Sequence, residues 1–280
     1  MNHSILVFLL SALIISCGRK SDKEPELSSD ARAFALQKEI FFNSLKNPDD
    51  LADYLVPGLT GFDAGLLNDP AYFFKYMGND RTAAVNLGIY LADLNYCVLF
   101  KQPIETKKYF DAAYELSKII RIEKNILEFL MSRYQKNIEQ NDSVKAVVNQ
   151  LFTQSTAGLQ GSDREQLAGF AMAGYQIENL YLIVSTIESL PPELTEEQRV
   201  AQKELWHFIF EYRGKFEVIY NFMRIHSDPL DPNKNPDYPF FDNALRELIG
   251  VFKNMNIEDP KISDLHEKVN ALRTRIIQAK

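Results

Sequence analysis

The sequence predicts an all-α protein, an irregular multi-helix bundle, and three observations carry that prediction. Glycine and proline are sparse, 12 of each in 280 residues, about 9% against a usual ~12%, which argues against turn-dense β architectures. Apolar residues recur at three and four along most of the chain, the spacing of one helix face. Nowhere do apolar and polar residues alternate over six positions, so a sheet has no obvious strands to build from.

The elements follow in order. Asp30 precedes a helix from Ala31 to Lys46, on which Phe34, Leu36, Ile40, Phe41 and Leu45 form one stripe. Residues 49–77 read as short helical turns, interrupted by Pro57-Gly58, Gly61 and Asn68-Asp69-Pro70. After Asn79-Asp80 a long helix runs to Phe100, and Pro103 opens the next, which reaches about Ile122. Two further helices cover about Glu123 to Gln140 and Ser143 to Ser155. Ser162-x-x-Glu165 reads as a capping box opening a helix to Leu190, where Pro191-Pro192 stops it. Thr195-x-x-Gln198 repeats that grammar before about thirty helical residues ending near Ile225. A proline-rich loop, Ser227 to Pro239, separates these from two last helices, about Phe241 to Asn254 and Pro260 to Ala279.

Charge and composition narrow the function classes. Lys and Arg total 31 against 38 Asp and Glu, a net charge of −7, so no basic footprint for nucleic acid is present. The N-terminus has the form of an address: Ile5 to Ile15 is apolar apart from Ser11, too short for a transmembrane helix of ~20 residues but suited to a secretory signal. Ile14-Ile15-Ser16-Cys17 resembles the lipobox of bacterial lipoproteins. That resemblance implies a signal peptide at 1–16, a lipidated Cys17, a polar tether to residue 29 and one all-α domain over 30–280. The connector at 156–161 is the place for any internal sub-boundary. Gly18 stands where lipoproteins retained at the inner membrane of enteric bacteria carry Asp, and the cluster Ser21 to Glu24 resembles the surface-export tags of Bacteroidetes lipoproteins; these resemblances imply the outer membrane. With Cys17 consumed by lipid, Cys97 stands alone in an apolar helix and reads as a buried, inert thiol.

Two helices are apolar almost all round and belong in the centre. From Ala83 to Phe100 only Asn86, Asp93 and Asn95 are strongly polar; Ala168-Gly169-x-Ala171-x-Ala173-Gly174 puts small residues on adjacent turns before Tyr175 and Glu178. Buried polar groups must find partners or line a cavity, so Asn86, Tyr90, Asp93, Tyr175 and Glu178 are the candidate ligand-binding residues. The segments Gly88 to Tyr96 and Gly174 to Leu182 resemble those of α-helical lipoproteins of Bacteroidetes type, a resemblance that implies a fold and no activity. Leu87-Gly88-x-Tyr90 followed by Tyr109-x-x-Ala112-Ala113-x-x-Leu116 resembles a tetratricopeptide hairpin, one residue out of register and without a second copy at that period.

Catalytic and metal motifs are weak. Glu204-x-x-His207 has the spacing of a carboxylate di-metal ligand pair, but such a site needs two of them; a half-buried His207 beside Trp206 is the expectation. Asp231, Asn233, Asn235, Asp237 and Asp242 imitate the spacing of a Ca²⁺ loop, with Pro236 where the sharp turn needs Gly. A metal-free turn is the default there, and no other cofactor is implied. His226 and His266 lack a partner at diagnostic spacing, with His266 expected on a polar helix face. The sequence therefore favours a lipid-anchored envelope protein that binds a protein or peptide partner as a non-catalytic scaffold. The alternative is a small-ligand binder with an internal pocket near Asp93 and Glu178, and an enzyme comes after both.

Overall fold

The structure, a computed structural model, describes residues 28–45, 55, 59–122, 124–137, 141–227, 238–256 and 262–278. Among the described residues it is all-α. The helices are α1 (Ser29–Ser44), α2 (Asp80–Leu99), α3 (Pro103–Ile119), α4 (Lys124–Asn137), α5 (Asn141–Ala157), α6 (Gln166–Glu188), α7 (Glu196–Ile225), α8 (Tyr238–Asn254) and α9 (Ile262–Gln278). Two 3₁₀ helices, Ala64–Leu66 and Pro70–Tyr76, lie between α1 and α2.

Local chemistry sets most boundaries. Asn79, in extended conformation, accepts the Thr82 N–H and starts α2. Thr195 and Gln198 form the reciprocal capping box that starts α7. At the end of α2 the Gln102 N–H reaches the Cys97 carbonyl and the Lys101 N–H that of Val98. With Lys101 at φ 55°, this is a Schellman stop built without glycine. Arg121, at φ 59°, closes α3 through the same pair of bonds, Ile122 to Ser117 and Arg121 to Lys118. The first of these turns folds α2 and α3 into a hairpin, and the second ends α3 ahead of α4.

The start of α6 differs from expectation. The Ser162 hydroxyl accepts the Arg164 N–H and donates to the Leu159 carbonyl, while the Glu165 side chain is drawn away to other partners. No capping box forms, and α6 begins at Gln166. The carboxylate is more strongly held by cations than by a neutral backbone amide.

α2 and α6 form the centre, and they cross with their backbones almost touching. A Cβ on Gly88 would lie 2.0 Å from the Ala171 carbonyl oxygen, and one on Gly174 would lie 1.9 Å from that of Val85. Glycine at both positions permits this approach and lets the two helices bury nearly every side chain. α3, α5 and α9 pack on the central pair, α7 packs on α6, and α1, α4 and α8 lie further out. The α2–α6 contact is the most extensive in the molecule and joins the chain before and after 156–161. α2 is long and apolar enough to cross a membrane, yet it is almost wholly enclosed by protein.

Candidate functional site

The crossing buries one carboxyl group from each central helix in the same interior. Asp93 of α2 and Glu178 of α6 are both 0% exposed. α9 supplies the third member: Arg273 Nε donates to Glu178 Oε2 at 2.6 Å, while its Nη2 donates to the Leu66 carbonyl at 2.9 Å. The guanidinium lies 4.2 Å from the Tyr181 ring centre, a cation–π contact. Burial drives the Asp93 pKa well above its ordinary range, and the Glu178 charge adds to this against the opposing pull of Arg273 and the Asn68 N–H. Asp93 is thus driven toward the neutral acid beside Glu178. For Arg273 burial works against the charge, but Glu178 outweighs it and the pKa is raised. One cation, one carboxylate and one neutral acid make a triad without net charge, the form in which ionised groups survive a core.

Above the triad the chain from Asp63 to Pro70 forms a strap, held down by buried side chains. Asp93 Oδ2 accepts the Asn68 N–H at 3.1 Å, and the Tyr90 hydroxyl donates to the Asp69 carbonyl at 2.9 Å. The Tyr96 hydroxyl accepts the Asp63 N–H at 3.2 Å, and Arg273 holds Leu66. Asn68 pairs with the Tyr76 hydroxyl, which donates onward to the Ile277 carbonyl. Burial raises the pKa values of Tyr76, Tyr90 and Tyr96, so these phenols remain neutral.

The outer side of the strap faces a groove of about 870 Å³. One wall is Ala64, Leu67, Asp69, Pro70, Ala71 and Phe73; the other is α3, through Glu105, Lys108, Tyr109, Asp111, Ala112, Tyr114 and Glu115, with Met131 of α4. Positions 105, 108, 109, 112 and 115 recur at three and four, so one face of α3 forms the wall. The floor is apolar and the rim carries four carboxylates against one lysine.

Of the residues singled out in the sequence, Asp93 and Glu178 meet, and Tyr90 supports the strap beside them. Asn86 instead donates to the Thr82 carbonyl one turn back, and the Tyr175 hydroxyl accepts from Asn95 while its ring packs on Phe152. Both are buried apart from the triad's hydrogen bonds. Asp93 and Glu178 line neither this groove nor four smaller cavities found among the described residues. Arg273 escaped the sequence reading, although its signal was there: it interrupts the apolar stripe Leu265, Val269, Leu272, Ile276.

Other expectations resolve simply. Cys97 is buried, and burial pushes its thiol pKa up, as an inert cysteine requires. His207 and Glu204 are both exposed, since the inward stripe of α7 runs through Leu205, Phe208 and Ile209; the expected half-burial of His207 does not occur. Among the described residues no three metal-ligating side chains come together. Asp231, Asn233, Asn235 and Asp237 lie outside the described residues, as does Cys17, and Asp242 pairs with Arg246 at 2.6 Å. His266 sits between helices rather than on a polar face, stacking on Tyr181, with Ser185 Oγ 3.1 Å from Nε2 and Glu188 at Nδ1. His226 meets Glu165, which also takes Lys38 at 2.6 Å and the Gly161 N–H, clamping α1 to the start of α6 and the end of α7.

Fold and site together define an all-α protein in which a charge-balanced triad anchors one wall of an open, acid-rimmed groove. Comparison of the chain with protein-family models, with curated proteins and with solved structures yields no match.

Proposed function

We propose that the protein is a lipid-anchored scaffold of the bacterial cell envelope, held by lipid on Cys17 at the outer membrane, and that it binds a protein or peptide partner without catalysis. The groove carries this reading: it is open, its floor is apolar, and its rim is polar, the composition of a recognition surface. The α2–α3 hairpin is read as a tetratricopeptide-like pair that offers one face of α3 to that partner. The alternative, a small-molecule pocket at Asp93 and Glu178, has the buried oxygens Asp93 Oδ1 and Glu178 Oε1 in its favour. The charge-balanced triad weighs against it, as does its place away from the five cavities described above.

Site-specific photo-crosslinking in the native envelope tests the proposal. A benzophenone side chain at Ala71, an exposed groove residue, should capture a discrete polypeptide; the same group at Gly214, exposed on α7, should not. Equal capture at both sites, or none at Ala71, would overturn the groove as the binding surface. Radiolabelled palmitate should enter the wild-type chain and be lost in Cys17→Ser; label retained in that variant would overturn the anchor.

A further inference from the structure

Resting on the groove as the binding surface, we infer that its occupant is a cationic, apolar peptide segment, one that sets Lys or Arg against the rim and aliphatic or aromatic side chains on the floor. Charge complementarity carries the inference. Asp69 stands on the strap wall, and Glu105, Asp111 and Glu115 stand on α3. The α3 carboxylates have partners within the helix: Lys108 at 2.8 Å from Glu105, Lys107 at 2.5 Å from Asp111 and Lys118 at 2.6 Å from Glu115. All three pairs are substantially solvent-exposed, and such pairs hold only weakly. An incoming cation can displace or share each lysine at little cost. Counted with their three paired lysines, the four carboxylates leave one negative charge in excess over Leu67, Phe73 and Tyr109, and each lysine an occupant displaces adds another.

The dimensions fit a peptide. Glu105 to Glu115 spans about 15 Å along the α3 axis at 1.5 Å per residue, the length of about five residues in extended form.

Fluorescence anisotropy with the full-length chain in a non-ionic detergent tests the inference. The probes are three fluorescein-labelled peptides of equal length, alternating Lys-Leu, Glu-Leu and Ser-Leu. The Lys-Leu peptide should bind at least about tenfold more tightly than either other, and added salt should weaken it. Ala71→Trp, which fills the groove from an exposed position, should reduce that affinity about tenfold or more. Glu105→Gln with Glu115→Gln should reduce it about threefold to tenfold and flatten the salt dependence, with circular dichroism confirming that each variant is folded. Equal or tighter binding of the Glu-Leu or Ser-Leu peptide, still abolished by Ala71→Trp, would overturn the cationic occupant and leave the groove standing. Lys-Leu binding untouched by Ala71→Trp would overturn the groove itself, because the peptide would then sit elsewhere on the acidic surface. No Lys-Leu binding at all would also overturn the inference.

Discussion

Arg273 Nε lies 2.6 Å from Glu178 Oε2 although 95 residues separate them in sequence, and both side chains are buried. Removing one member of such a pair strands the other charge in the interior. Arg273→Met should therefore cost about 3–5 kcal/mol, read from urea unfolding. Adding Glu178→Leu to the same chain should recover a large part of that loss, since the stranded charge is then gone. An Arg273→Met variant within about 1 kcal/mol of wild type would show that the triad is not structural.

Asp93 supplies a pH signature. Its raised native pKa means that the folded chain holds a proton which the unfolded chain has released, so stability falls as pH rises from the ordinary value near 3.8 to the raised native one. Asp93→Asn imitates the protonated acid, keeping an acceptor for the Asn68 N–H and a donor toward Glu178. The variant should match wild type within about 1 kcal/mol near the low end of that window and exceed it increasingly above, by up to ~1.4 kcal/mol per pH unit. Parallel stability curves for the two proteins would count against a protonated Asp93.

Glycine substitutions should divide sharply by position. Gly88→Ala and Gly174→Ala each drive a methyl group into backbone, 2.0 Å and 1.9 Å from a carbonyl oxygen, and neither helix can shift without opening the core. Each should cost about 3 kcal/mol or more, or prevent folding. Gly214→Ala meets nothing within 4 Å and should stabilise by about 0.5–1 kcal/mol through helix propensity. Lys101→Gly, at φ 55°, should gain a comparable amount because glycine carries no Cβ penalty there. Thermal unfolding of the four variants checks the set.

Glu165 reports on the attachment of α1. Burial opposes its ionisation, but bonds from Lys38, the Gly161 N–H and His226 outweigh that and depress its pKa. The clamp thus contributes stability above the ordinary carboxylate value near 4.5, and that contribution disappears as pH falls through the lower native pKa. Glu165→Gln should lose about 1–3 kcal/mol near neutrality and converge on wild type in acid. Hydrogen exchange should show weaker protection of α1, which otherwise rests on the stacked pair Phe41 and Phe222, 3.6 Å between ring centres. Unchanged α1 protection would mean that this aromatic contact alone holds the helix.

Much of the fold was legible because its signals are local. Asn79, Thr195 with Gln198, and Pro103 each act within one turn, and each boundary they announce appears in the structure. Ser162 and Glu165 carried the same grammar and failed, because Lys38 and His226 arrive from helices remote in sequence and take the carboxylate. The histidines went the same way: His266 reads as a polar-face residue on α9 alone, and only the packing of α6 brings Ser185, Glu188 and Tyr181 to it.

By itself the sequence determined the helical class, the order and approximate extent of its helices, the two that occupy the centre, and that Asp93 and Glu178 would have to be answered inside. These follow from periodicity, capping and the cost of burying a polar group, which operate over a few residues or on one side chain. Tertiary structure decided that the two acids answer each other, that Arg273 completes them, that Tyr175 and Asn86 do not join, and that the strap and α3 enclose an acid-rimmed groove. The reason is geometric: these relations depend on the register between helices, fixed here by a glycine crossing whose partners are 86 positions apart in the sequence.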